Sequence, residues 1–139
     1  MKSIFLVSTV LSLAAAAAFA AASAPRQAIL DQYAASAKME NPAFAGFSAS
    51  AGQAFFMAKQ SGGKPDTLSC TACHTADPSK AGQTRAGKEI KPMAVSANPE
   101  RFTDHAQVEK WFGRNCDSVL GRQCTATEKG NFITFMSGR

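Results

Sequence analysis

Cys70, Cys73 and His74 fall within five residues, in the run Cys70-Thr71-Ala72-Cys73-His74. Two thiols three positions apart, followed directly by an imidazole, form the attachment signature of a c-type haem. The thiols can reach the two vinyl groups as thioethers, and the imidazole then falls beneath the iron as an axial ligand. The motif occurs once, so one covalently bound haem c is expected. Other chemistries use the same residue types. A redox dithiol calls for a thioredoxin-like βαβ pattern, which the chain lacks. A zinc site could combine Cys70, Cys73, Cys116 and Cys124, but seven residues separate the second pair, where zinc ligands are usually closer. All four cysteines could also be structural disulfides. If the first pair holds haem, Cys116 and Cys124 are expected to pair with each other in an oxidising compartment, closing a short loop. No His follows Cys124, so they are not a second attachment site.

Such a motif needs a chain that reaches an oxidising compartment and elements that wrap a haem. The chain has 139 residues, is 45% hydrophobic and carries a formal charge of +5. These values exclude a large multidomain enzyme, a polytopic membrane protein and a low-complexity tail. The basic residues are spread along the chain, so nucleic acid is not an expected partner. Lys2 is the sole charge before Arg26, and an apolar, alanine-rich run lies between them. A positive start, an apolar stretch and small residues at an A-x-A site read as a signal peptide over residues 1–20, cleaved near Ala20–Ala22. An uncleaved membrane anchor is the competing reading. Removing residues 1–20 leaves a charge of +4, and the mature chain is expected in the periplasm, as one cytochrome c domain over residues 25–139.

Periodicity predicts an all-α domain with long loops. Ile29, Leu30, Tyr33 and Ala34 recur at helical spacing, with Pro25 near the first turn. A second helix is expected over Ser48–Lys59, a third from a cap at Thr103 or Asp104 to about Val119, and a last short one opened by the capping-box pattern Thr125-Ala126-Thr127-Glu128. No alternating strand pattern is visible. Thr75–Pro99 shows no period, and an irregular stretch of that length in so short a chain implies that it wraps something.

The opposite face of the iron decides function. Met57 and Met136 lie on apolar helix faces and read as core. Met93, in a loop beside Pro92, is a possible ligand, but it lies only 19 positions after His74. On the third helix, Val108, Trp111, Phe112 and Val119 all fall within about 60° of Asn115 on a helical wheel. Asn115 is then an amide at the centre of an apolar stripe, bonded either to backbone or to something the helix faces. His105 lies off the stripe, as a possible second imidazole or as an exposed or capping residue. Trp111 and Phe112 could wall a haem pocket or pack between helices. Arg85 and Lys88 could pair with haem propionates or lie free on the surface.

Several strings, in order, resemble the sphaeroides haem protein family of class I cytochromes c. They are Gly62-Gly63-Lys64-Pro65-Asp66-Thr67, Ala81–Ile90, Arg101-Phe102-Thr103-Asp104, Val108-Glu109-Lys110-Trp111 and Gly113-Arg114-Asn115-Cys116. The resemblance implies a class I cytochrome c-like fold, with helices and long loops around one haem. It implies a high-spin haem with His74 on one side and Asn115 on the other, and a disulfide between Cys116 and Cys124. The Gly52-to-Phe56 spacing resembles the N-terminal helix of class I cytochromes, where Gly permits a close crossing with the last helix. The double-prime cytochromes c carry His at the position of Asn115. The expected function is electron transfer with a labile Asn115 ligand, released on reduction so that O2, NO or CO can bind the ferrous haem. Redox partners implied by the family are a dihaem cytochrome c and a membrane b-type cytochrome. Two rivals remain: a plain electron carrier with a permanent His/Met or His/His haem, and a haem enzyme such as a peroxidase or nitric oxide dioxygenase. No acid–base pair is recognisable beside Asn115, so catalysis is not the expectation.

Overall fold

A computed structural model describes residues 8–139, with side chains from Ser23 onward. Residues 1–7, which begin the expected signal peptide, lie outside the described residues, as do the side chains around the expected cleavage site at Ala20–Ala22. Helix α1 spans Ser8–Glu40 and contains Pro25. It therefore starts well before Pro25 and not at it. Apolar spacing marks only the packed part of a helix, whereas alanine, the strongest helix former, extends it upstream. Pro25 removes one backbone donor and need not end the helix where flanking turns hold it. Arg26, Ile29, Tyr33 and Ala37 are buried along one face of α1 at three- and four-residue spacing, and α1 packs against the last helix.

Ser48 caps α2 (Ala49–Met57), its hydroxyl accepting from Ala51 N at 3.2 Å. Helix α5 (Ala126–Ser137) crosses α2 at Gly52. A Cβ there would lie 2.0 Å from the carbonyl oxygen of Asn131, so the two backbones meet where no side chain fits. The family-like spacing thus does what it implied. This approach seats Phe56, fully buried, against the rings of Phe132 and Phe135 at 5.9 and 6.0 Å. Met136 is buried as expected, but Met57 is 46% exposed. It is the last residue of a nine-residue helix whose buried positions are Gly52 and Phe56, and it points off their face.

The motif lies on a single helical turn, α3 (Thr71–His74). Beyond it the chain is irregular, as the absence of period implies, except for a two-residue ladder missed in the sequence. Strand β1 (Gly82–Gln83) pairs antiparallel with β2 (Glu89–Ile90). Two residues per strand are too few to show alternation. The 91–101 loop is pinned by its backbone: Met93 N and Ala94 N donate to Pro78 O at 2.9 and 2.8 Å, and Val95 N donates to Met136 O at 3.0 Å.

Helix α4 (His105–Leu120) has Asp104 as its cap, accepting from Gln107 N, and ends at Gly121 in the left-handed conformation. Thr125 and Glu128 form the capping box of α5 that their spacing predicts. Arg122 adds a bidentate ion pair to the Glu128 carboxylate at 2.7 and 2.8 Å. Between α4 and α5, Cys116 is bonded to Cys124, with Cα atoms 5.6 Å apart. Replacing both by serine should lower stability by about 2–3 kcal/mol, from the entropy of the freed loop, as read by denaturant titration of the holoprotein. Among the described residues, no helix is long and apolar enough to cross a membrane.

Candidate haem site

Cys70 precedes α3, and Cys73 and His74 complete it. The β1 backbone braces this turn. A Cβ on Gly82 would stand 2.1 Å from Cys73 O and 3.0 Å from His74 Cα, so only glycine lets the hairpin lie against the motif. Cys70 and Cys73 are both free thiols and half-buried. Burial pushes the Cys70 thiol up to about 11, the reverse of the lowered value that activates a redox cysteine. Burial, with the nearby charge of Arg101, pushes His74 down to about 4. Its imidazole is therefore neutral at pH 7, the form that binds iron. His74 Nδ1 is buried without a hydrogen-bond partner.

These features fit a covalently held haem: two unpaired thiols on one helical turn, directly followed by a neutral imidazole. They do not fit zinc. Cys116 and Cys124 are consumed by their own disulfide, and no group of three or more metal-ligating His, Cys, Asp or Glu residues exists among the described residues.

Asn115 stands on α4, but not at the centre of its buried face. That face comprises Val108, Phe112, Cys116 and Val119. Phe112 lies edge-on to Phe132 at 5.5 Å, whereas Trp111 is 50% exposed and Asn115 is exposed beside it. The wheel counts every apolar residue as inward. In the fold, the arc facing the core is rotated towards Cys116, which leaves Trp111 and Asn115 on its flank. Of the two expected pocket residues, Phe112 thus belongs to the protein core and Trp111 to the open side. Lys110 Nζ and the Arg114 guanidinium approach the Trp111 ring at 5.8 and 5.5 Å. The Asn115 amide makes no hydrogen bond among the described residues, so it is not tied to backbone.

The other candidates separate cleanly. Met93 is 8% exposed and packed in the core by the 91–101 loop. His105 is exposed at the start of α4, with its ring 6.2 Å from that of Tyr33. Arg85 forms an ion pair with Asp66, and both are more than half exposed; Lys88 is exposed. Three groups were missed in the sequence. Arg26 is buried and donates to Arg101 O at 3.0 Å and to Pro99 O. Arg101 donates to Pro92 O at 2.9 Å beside His74. Tyr33 and Lys129 both bond Glu109. The spacing of Arg26 with Ile29 and Tyr33 was the available sign, since a charged residue in phase with an apolar stripe must be satisfied when buried.

Fold and site together define a monohaem c-type cytochrome, with one haem c bound covalently. A family model described as a domain of unknown function (DUF1924) matches residues 42–136. The cytochrome c-type protein SHP of Cereibacter sphaeroides is 59% identical over 88 residues, covering 63% of this chain and 68% of that protein. The chain belongs to the sphaeroides haem protein family. The structure of oxidised SHP, an oxygen-binding cytochrome c, superposes with a TM-score of 0.76 and 50% identity, over 82% of this chain and 96% of that one. The solution structure of Methylophilus methylotrophus cytochrome c'', described in terms of haem-ligand detachment, gives a TM-score of 0.68 and 34% identity over 80% and 90% of the two chains.

Proposed function

We propose that the chain transfers electrons and binds diatomic gases through a haem that Cys70 and Cys73 would tether and His74 and Asn115 would ligate. When bound, haem supplies one-electron redox chemistry at iron and a place for a small ligand. The observation that carries the reading is Asn115: an amide on the flank of α4, beside an exposed Trp, with no hydrogen bond of its own among the described residues. Its neutral carbonyl oxygen is a hard donor that favours ferric over ferrous iron. Asn115 would hold a ferric iron more firmly than a ferrous one, and its amide N–H would serve as a donor to O2, NO or CO. The neutral imidazole of His74 would suit either oxidation state. The descriptions of the two relatives, oxygen binding and ligand detachment, support this reading.

The Lys2-to-Ala22 segment directs the chain to the periplasm, where a dihaem cytochrome c and a membrane b-type cytochrome exchange electrons with it. Absorption spectra of the reduced protein with and without carbon monoxide test the proposal. We expect a high-spin ferrous spectrum that carbon monoxide converts fully to a low-spin one. Asn115→Ala should give a five-coordinate or water-bound ferric site. A low-spin ferrous spectrum unmoved by carbon monoxide, or an unchanged ferric spectrum in Asn115→Ala, would overturn it.

A further inference from the structure

A polar cluster joins α1, α4 and α5. Glu109, on α4, accepts from the Tyr33 hydroxyl of α1 and from Lys129 Nζ of α5, the latter at 3.0 and 2.9 Å to its two oxygens. The Lys129 side chain is only 14% exposed, and its ammonium lies over the Tyr33 and Phe112 rings at 5.4 and 6.0 Å. One carboxylate thus gathers donors from two other helices. Charge-assisted bonds of this kind, partly withdrawn from water, are strong and directional.

The placement along α4 gives the cluster a use. Glu109 lies six residues before Asn115, about 9 Å along the helix axis. On the other side, Cys116 follows Asn115 directly and is anchored to Cys124. Glu109, Phe112 and Cys116 recur at three- and four-residue spacing, so the two anchors follow one side of the helix, with Cys116 buried and Glu109 40% exposed at its edge. Asn115 lies on the stretch between them. A helix held at both ends of this stretch cannot shift to carry its amide away.

We propose that Tyr33 and Lys129 are positioning residues which, through Glu109, immobilise α4, so that Asn115 leaves the iron by side-chain rotation alone and returns readily. This rests on the assignment of Asn115 as the labile ligand. The test measures how fast imidazole displaces Asn115 in the oxidised holoprotein. Tyr33→Phe keeps the ring and loses one bond to Glu109, and should speed imidazole entry about fivefold, the equivalent of one hydrogen bond. Lys129→Met should do the same or more, and Lys129→Arg, which keeps a charged donor, should restore most of the original rate. None of these changes should alter the rate in an Asn115→Ala background, where no amide remains to be displaced. Melting temperatures that fall while the imidazole rate stays constant would overturn the proposal, as would an equal acceleration in the Asn115→Ala background. An Asn115→Ala protein with an unchanged ferric spectrum would instead overturn the ligand assignment beneath it.

Discussion

With Cys70 and Cys73 both replaced by serine, the chain is expected to carry no covalent haem and to lose most of its ordered structure. The two thiols are the available attachment points, because Cys116 and Cys124 are already joined to each other. A serine hydroxyl forms no thioether with a vinyl group under the conditions of haem attachment. The loss should spread beyond the motif. His74 would lose the iron that its imidazole is proposed to bind, and its half-buried ring would face the space left by the haem. Residues 75–104 hold one two-residue ladder and otherwise irregular chain, so little regular structure there replaces what haem contacts supply. Intact-mass spectrometry of the denatured protein should show the bare polypeptide, and circular dichroism should show reduced helicity and a broad thermal transition. A haem mass retained by the double variant would disprove the attachment. The single variant Cys70→Ser should keep one thioether and a shifted absorption maximum.

The second large effect is expected at Gly52. Valine there would drive its Cβ to 2.0 and 2.6 Å from the carbonyl of Asn131 and to 2.9 Å from Phe135 Cβ. The nearest obstacles are backbone atoms, which no rotamer change moves aside. Helices α2 and α5 would have to separate, pulling Phe56 from Phe132 and Phe135 at the point where the core is fully closed. Overpacking of this kind costs about 1–3 kcal/mol, and more where backbone must move, a large share of the stability of a small domain. Gly52→Ala should already be destabilising, because the clash begins at Cβ. Denaturant titration of both variants checks this, and a Gly52→Ala midpoint equal to that of the parent chain would show that the crossing relaxes. Haem should remain attached in both, which separates this defect from loss of the Cys70–Cys73 tether.

Most of what the chain declares in advance is local. Asp104, one of the two caps the sequence offers for α4, and Thr125 cap their helices, since an N-cap is a bond between residues three positions apart. The attachment motif is likewise complete within Cys70–His74, because its geometry is that of one helical turn. Errors arose where a local pattern had to stand for an orientation. Met57 satisfies the apolar pattern of α2 but points away from the crossing, and Pro25 marks no boundary because the upstream alanines carry the helix through it.

The chemistry was legible in the residues alone: one covalent haem site with an imidazole beside it, a disulfide pair and an all-α frame. These follow from residue types and spacings of a few positions. The turn of α4 comes from packing in three dimensions, which places Asn115 and Trp111 on its open flank and Phe112 in the core. That packing also brought Tyr33 and Lys129 onto Glu109, across separations of 76 and 20 residues. Helix rotation depends on the summed packing of partners remote in the chain, here the Cys116–Cys124 disulfide and the Phe112–Phe132 contact among them. No wheel drawn on α4 alone contains those contacts.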